Sequence, residues 1–188
     1  MPLTALLVPT FTNMLTALSG WLVKARAQMP EGEAEALLLA RLAPDMFPLS
    51  TQIRFACVQA QEAAHRLQGL PFPALVGQLI DEGRRAGESP GTLAEAQGRI
   101  SETVAFLEAL PSDALDVNPE ASIAHELPNG MIFDLTAEQY ARDWALGQFY
   151  FHVMTAYAIL RSEKVELGKA DYIPHLLAHL RPTAEPEA

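Results

Sequence analysis

Apolar side chains recur along most of this chain at intervals of three and four residues, the spacing that gathers them on one face of an α-helix. After Val8-Pro9-Thr10, the positions Phe11, Leu15, Leu18, Leu22 and Ala25 keep this spacing and predict a first helix, with Thr10 or Thr12 as its cap. An acidic, leucine-rich piece from Glu33 to Leu42 follows. The two prolines of the next six residues, 43–48, bar a continuous helix, so the stretch reads as a crossover rather than a core element. A second helix is predicted from Leu49 to Leu67, with Ile53, Ala56, Ala60, Ala64 and Leu67 on one side and Gly69 and Pro71 ending it.

Residues 71–91 carry three prolines and four glycines and read as an irregular surface excursion, with a turn of helix at Leu75 to Ile80. A third helix opens with Thr92 and Glu95 at capping-box spacing, buries Leu93, Ala96, Ile100, Val104 and Leu107, and stops at Pro111. The period then changes. Asn129-Gly130, between two short runs from Ile123 to Leu135, predicts a β-hairpin with a two-residue turn, which would set His125 opposite Asp134 at the surface. Thr136 and Gln139 repeat the capping box, and a fourth helix is expected to run from Thr136 to Arg161. Beyond it lie a turn at Gly168 to Tyr172, a last helical turn at His175 to Leu180, and a flexible tail at 182–188. One domain over 1–181 accounts for the whole pattern.

The fourth helix is apolar almost all the way round. Trp144, Leu146, Phe149, Tyr150, Phe151, Val153, Met154, Tyr157 and Leu160 cannot share one seam, which suggests that a second subunit covers part of it and that the protein is a homodimer. Charge narrows the partners. With 13 Lys and Arg against 23 Asp and Glu, net −10, no basic face is available to neutralise phosphates, so nucleic acid is not expected. Apolar stretches are interrupted well short of a bilayer span, and no basic residue precedes Lys24, so neither a membrane partner nor a secretory signal is expected and the cytoplasm is the natural compartment. Cys57, the single cysteine, falls on the apolar side of the second helix and reads as a packed thiol.

Within the fourth helix, His152 stands with Gln148 one turn before it and Thr155 nearly one turn after. Successive residues rotate by about 100°, so these three share a face and form a polar stripe in an otherwise apolar wall. Other histidines are weaker candidates. His65, beside Glu62, Arg66 and Gln68, reads as a solvated or ion-paired surface group. His175 and His179 have metal-ligand spacing but no acid or thiol between them, and Gly168-Lys169 lacks the glycine loop of a phosphate-binding motif.

The runs Ala40-Arg41-Leu42-Ala43-Pro44-Asp45-Met46-Phe47-Pro48-Leu49, with Gln52 and Ala56-Cys57 after it, and Phe149-Tyr150-Phe151-His152-Val153-Met154-Thr155-Ala156-Tyr157-Ala158-Ile159-Leu160-Arg161 resemble the signature of the DUF1993 family of bacterial proteins. Val8-Pro9-Thr10-Phe11 and Leu167-Gly168-Lys169-Ala170-Asp171-Tyr172 extend the resemblance over nearly the whole chain. That family is similar to the DinB/YfiT-like group, which implies an all-α four-helix bundle, up-down-down-up and often dimeric, to which the turn signal adds the small hairpin before the last long helix.

Many members of the wider group hold a divalent metal on three histidines, one from the second helix and two at i, i+4 on the fourth. The resemblance places those positions at Gln52, Gln148 and His152, so one imidazole of three remains, and neutral amides bind Zn²⁺ or Ni²⁺ poorly. No cofactor is therefore expected. The preferred reading is a dimeric small-molecule-binding or accessory protein whose interhelical pocket is lined by Gln52, Gln148, Tyr150, His152 and Thr155. The alternative is a thiol S-transferase-like enzyme with a degenerate Zn or Ni site at His152 and a thiol brought by the substrate. Contacts of about 2.8–3.2 Å between the side chains would mark a hydrogen-bonded cluster, and about 2.1 Å to a common centre would mark a metal.

Overall fold

A computed structural model describes residues 1–30 and 32–181 of the 188-residue chain; the tail expected at 182–188 lies outside the described residues. Five helices build it: α1 Leu3–Gln28, α2 Leu49–Leu67, α3 Ala74–Arg85, α4 Leu93–Glu108 and a composite α5 over 137–162. A hairpin of β1 Ser122–Glu126 and β2 Ile132–Thr136 precedes α5, and the short helix α6, Lys169–Tyr172, follows it. Around the bundle the order is α1, α4, α2, α5. At one end Thr4 of α1 meets Asp116, just past α4; at the other, Trp21 of α1 meets Asp171, just past α5. The chain thus runs up through α1, down through α2, down again through α4 and up through α5. This is the all-α, up-down-down-up bundle that the resemblance implied, with the hairpin that the Asn129-Gly130 signal predicted.

Helix α1 starts at Leu3, six residues before Pro9, rather than after it. Pro9 removes one amide from the ladder, and the turn around it is reinforced by the Thr10 hydroxyl, which donates to the Leu6 carbonyl at 2.6 Å. The extra turns are anchored from outside: Thr4 N–H donates to Asp116 Oδ1, and Leu115 N–H to Thr4 Oγ1, both at 2.8 Å. By length and composition α1 could cross a bilayer, contrary to the sequence expectation. In the bundle its Phe11, Leu15, Leu18, Trp21 and Leu22 are core residues. Phe11 packs on Phe149 of α5 at 4.7 Å, and Trp21 meets Tyr157 edge-on at 5.2 Å while its indole N–H donates to the Asp171 carbonyl. The crossover after α1 is not wholly peripheral either: its 3-10 turn, Glu33–Leu39, buries Leu37 and Leu38 and caps α4 through Glu35, which accepts from Leu93 N–H.

The stretch expected to be irregular contains the complete helix α3. Gly83 explains why helix forms there despite the glycines. A methyl at that position would lie 2.5 Å from a Phe55 ring carbon, so its hydrogen lets α3 press directly on α2, and the Thr51 hydroxyl then reaches the Gly83 carbonyl at 2.7 Å. Packing overrides the low propensity. At the junction of α2, α3 and α4, Arg54 is 3% exposed and bonds Ser50 Oγ at 2.9 Å and Glu82 at 3.4 Å; Glu82 also takes the guanidinium of Arg99.

Helix α5 is not one regular helix. A first turn, Ala137–Gln139, gives way to a π-helical stretch, Tyr140–Ala145, and then to α-helix, Leu146–Ser162. The amide of Leu146 reaches back five residues to Ala141, so the side-chain register shifts by one residue there. Phe149, Val153, Ala156 and Leu160 fill the core, while Phe151 and Met154 stay 55% and 40% exposed.

Candidate functional site: a hairpin-covered cavity beside the His152 cluster

His152, 8% exposed on α5, donates from Nδ1–H to Gln52 Oε1 at 2.9 Å, and Gln52 donates from Nε2 to the Phe47 carbonyl at 3.1 Å. The second bond sets which end of the amide faces the imidazole, and an oxygen there requires the proton on Nδ1. Two hydrogen bonds thus tie α5 to α2 and α2 to the crossover. Phe55 and Phe151 meet the imidazole edge-on at 5.4 and 5.3 Å, and burial pushes its pKa down to about 4, so the ring is neutral at pH 7.

Among the described residues, the other residues expected at this site make no hydrogen bond to the Gln52–His152 pair. The Thr155 hydroxyl turns back to the Phe151 carbonyl at 2.6 Å. Tyr150, two residues from His152 and so on the far side of the helix, packs against Phe149 at 5.8 Å. Gln148 is half-buried one turn before His152.

This donor set does not fit the divalent metal that the fold group implies. Gln52 and Gln148 are neutral amides, Gln52 Oε1 already accepts from His152, and the cluster holds no thiolate or carboxylate. Among the described residues no group of three or more His, Cys, Asp or Glu side chains is gathered for a metal. Cys57 supplies no alternative chemistry: it is fully buried, and burial pushes its thiol up to about 12, as a packed thiol requires.

Phe55 also lines an open cavity of about 690 Å³, bordered by α2, α3, the hairpin and the π-helical stretch. Phe55, Val58, Phe72, Ile80, Leu127 and Trp144 make its apolar wall, and Glu62, Arg66 and His125 bring polar groups to it. His125 is only 4% exposed, stacks against Trp144 at 4.2 Å and Tyr140 at 5.5 Å, and neither of its ring nitrogens has a hydrogen-bond partner among the described residues. Trp144 Nε1 and Arg66 Nε are buried and unpaired in the same sense. The Arg66 guanidinium carbon lies over the rings of Phe72 and Tyr140, 5.0 and 5.8 Å from their centres.

Burial of the individual groups sets the electrostatics here. Burial, aided by the charge of Arg66, pushes His125 down to about 4. Burial raises the Glu62 carboxyl against the opposing pull of Arg66, and it raises the Tyr140 phenol as well. Leaving a buried donor or acceptor unsatisfied costs about 1–3 kcal/mol, so the wall around His125, Trp144 and Arg66 is locally destabilised.

Two sequence expectations fail here for definable reasons. The hairpin turn is a three-residue loop: Gly130 N–H donates to Leu127 O, Leu127 N–H to Met131 O, and Gly130 takes φ +83°. Pro128 has φ fixed near −65°, which suits the first central position of a type I turn and leaves Gly130 to form the bulge, so the register moves by one. His125 therefore pairs with Phe133, and Asp134 pairs with Ala124. His125 is also buried rather than at the surface. The alternation Ile123, His125, Leu127 carried that information, because all three fall on the inward side of β1. His65, read as a surface group, is likewise buried: it bonds the Gln61 carbonyl at 2.8 Å and stacks on Phe106 of α4 at 4.9 Å.

With this geometry in place, the comparisons with known proteins are consistent on family. Residues 3–173 match the family described as "Domain of unknown function (DUF1993)". The chain is similar to a DinB family member protein from Shewanella denitrificans, known from a crystal structure, with 31% identity over 99% of this chain and 94% of that one and a TM-score of 0.71. Among curated proteins none matches. By sequence over nearly its full length and by the arrangement of its helices, the chain belongs to the DUF1993 family, within the DinB-like group of four-helix bundles.

Proposed function

We propose that this protein binds a small organic molecule in the cavity beneath the hairpin, and acts as a binding or accessory protein rather than through a metal. The observation that carries this reading is the cavity itself: about 690 Å³, walled by Phe55, Val58, Phe72, Ile80, Leu127 and Trp144, with Glu62 and Arg66 among its lining residues. That volume lies within the roughly 300–1,000 Å³ of ordinary ligand pockets. The π-helical stretch supports it, since such stretches re-aim side chains and here it carries Trp144. The Gln52–His152 pair stands one ring away, behind Phe55, and in this reading positions that wall rather than touching the ligand.

A neutral probe tests the reading. Titrating 6-phenylhexan-1-ol into ¹⁵N-labelled protein should shift the indole N–H resonance of Trp144, identified by its loss in Trp144→Phe, and leave that of core Trp21 in place. Placing a larger side chain at the wall, Gln59→Trp, should abolish the shift. A Trp144 signal that stays still up to the solubility limit of the alcohol would sink the reading.

A homodimer is also proposed, on the exposure of Phe151 and Met154 along α5 beside the exposed Phe47. Phe151→Glu should then lower the sedimentation coefficient to that of a monomer, and an unchanged value in the variant would remove α5 from the interface.

A further inference from the structure

The hairpin sits on the bundle through one buried side chain. Of residues 122–136 only His125 is buried, and it is an imidazole with both nitrogens unpaired among the described residues. Its ring lies against Trp144 at 4.2 Å and Tyr140 at 5.5 Å, and Phe133 adds a contact to Trp144 at 5.7 Å. Trp144 Nε1, under the imidazole, is buried without a partner as well. The seated hairpin thus keeps water from these nitrogens and gives them no hydrogen bond in exchange. From the bundle, Arg66 Nη1–H donates to the Ala124 carbonyl, but at a long 3.4 Å. The root of the hairpin is built differently. Ile123 and Leu135, paired across the two strands, pack on the core, while Ala137 N–H donates to the Ala121 carbonyl at 2.8 Å and Glu138 N–H to the Pro119 carbonyl at 3.1 Å.

We propose that the outer part of the hairpin, residues 124–134, is a lid that lifts from the bundle as one unit about the Ile123–Leu135 pair and uncovers Trp144 and Tyr140. Lifting gives up ring packing but restores water to the nitrogens of His125 and Trp144, which offsets part of that loss; an apolar seat of the same area would have no such offset. The strands stay paired to one another through the movement, because the ladder from Ser122–Thr136 to Glu126–Ile132 and the Leu127–Met131 closure lie wholly within the hairpin. Seated, the lid shuts the imidazole and Trp144 Nε1 away from the neighbouring cavity; lifted, it extends that cavity to them. The movement needs no ligand, so it stands or falls apart from the reading above.

Two probes on opposite sides of the seat test the lid on the full chain, each referred to an unstructured peptide. One is hydrogen exchange of the Trp144 indole N–H on the bundle; the other is carbethoxylation of His125 by diethyl pyrocarbonate on the hairpin, read by peptide mass. A single lifting movement exposes both nitrogens, so both reactions should be slowed by the same factor within tenfold, roughly 10²-fold, against at least 10³-fold for a group that waits for global unfolding. Low concentrations of urea should leave that factor unchanged while speeding exchange of the core Trp21 indole. In His125→Leu, whose side chain leaves no unpaired nitrogen in the seat, exchange at Trp144 should slow at least tenfold further. Factors that differ by more than tenfold between the two probes, or that follow Trp21 in urea, overturn the lid, as does unchanged Trp144 exchange in the folded variant. Should the variant not fold, the two probes on the native protein still decide.

Discussion

Glu82→Gln should lower the free energy of unfolding by about 3 kcal/mol, read as a reduced denaturation midpoint with an unchanged slope. Arg54 is the reason. Its side chain is 3% exposed, and its countercharge is Glu82, at 3.4 Å; the neutral amide would leave a buried guanidinium with the Ser50 hydroxyl as its remaining polar partner on α2. Breaking one side of such a pair costs more than the pair contributes, because the survivor remains desolvated. Arg99 suffers less, since it is more exposed and keeps Glu102 at 3.0 Å. Burial works against the Glu82 carboxylate, but hydrogen bonds and charge from Arg99, and then from Arg54, outweigh it and hold its carboxyl below the ordinary range. Its stabilising contribution is thus present above the ordinary carboxylate range and is lost as pH falls through the lowered value. A loss under about 1 kcal/mol in the variant would mean that this junction behaves as a surface ion pair.

His152 yields a second large effect, over a higher pH window. Its folded pKa of about 4 lies below the ordinary imidazole value of 6.5 because burial disfavours the imidazolium. Between those two values the unfolded chain takes up a proton that the folded protein refuses, so stability is complete above pH 6.5 and falls with acidification. The slope is about 1.4 kcal/mol per pH unit, which gives roughly 2 kcal/mol between pH 7 and pH 5. His125 adds in the same direction. His152→Gln keeps a polar partner for Gln52 and carries no titratable group, so wild type should lose about 2 kcal/mol more than the variant over that interval. Parallel pH profiles for the two proteins would show that His152 is not held neutral by its surroundings.

Much of the fold was legible because it follows from local rules. Thr92 with Glu95 and Thr136 with Gln139 form the capping boxes that their spacing predicts, and the apolar faces of α2 and α4 are the faces that pack. The misreadings share a cause: each depends on a contact from far along the chain. Pro9 sits inside α1 because Asp116 and Leu115 grip Thr4, and the glycine-containing α3 forms because Gly83 fits beneath Phe55.

The candidate site divides in the same way. The spacing of Gln148 and His152 located a buried imidazole, and the family resemblance located Gln52, which the structure places at 2.9 Å, the distance of a hydrogen-bonded cluster. The cavity was out of reach. Glu62 and Arg66 look like a solvated helical pair, His125 like an exposed strand residue and Trp144 like part of an apolar wall, until a three-residue turn and a π-helical stretch set them around one space.

Periodicity and caps depend on neighbours within about four residues, so the sequence by itself determined the helices α2 and α4, the helical wall around His152 and the existence of a hairpin. Which groups meet across the bundle, and which are left buried without partners, depends on how those pieces pack. Only the tertiary structure decided that, because the hairpin register, the π-helical shift and the approach of α3 each combine residues tens of positions apart.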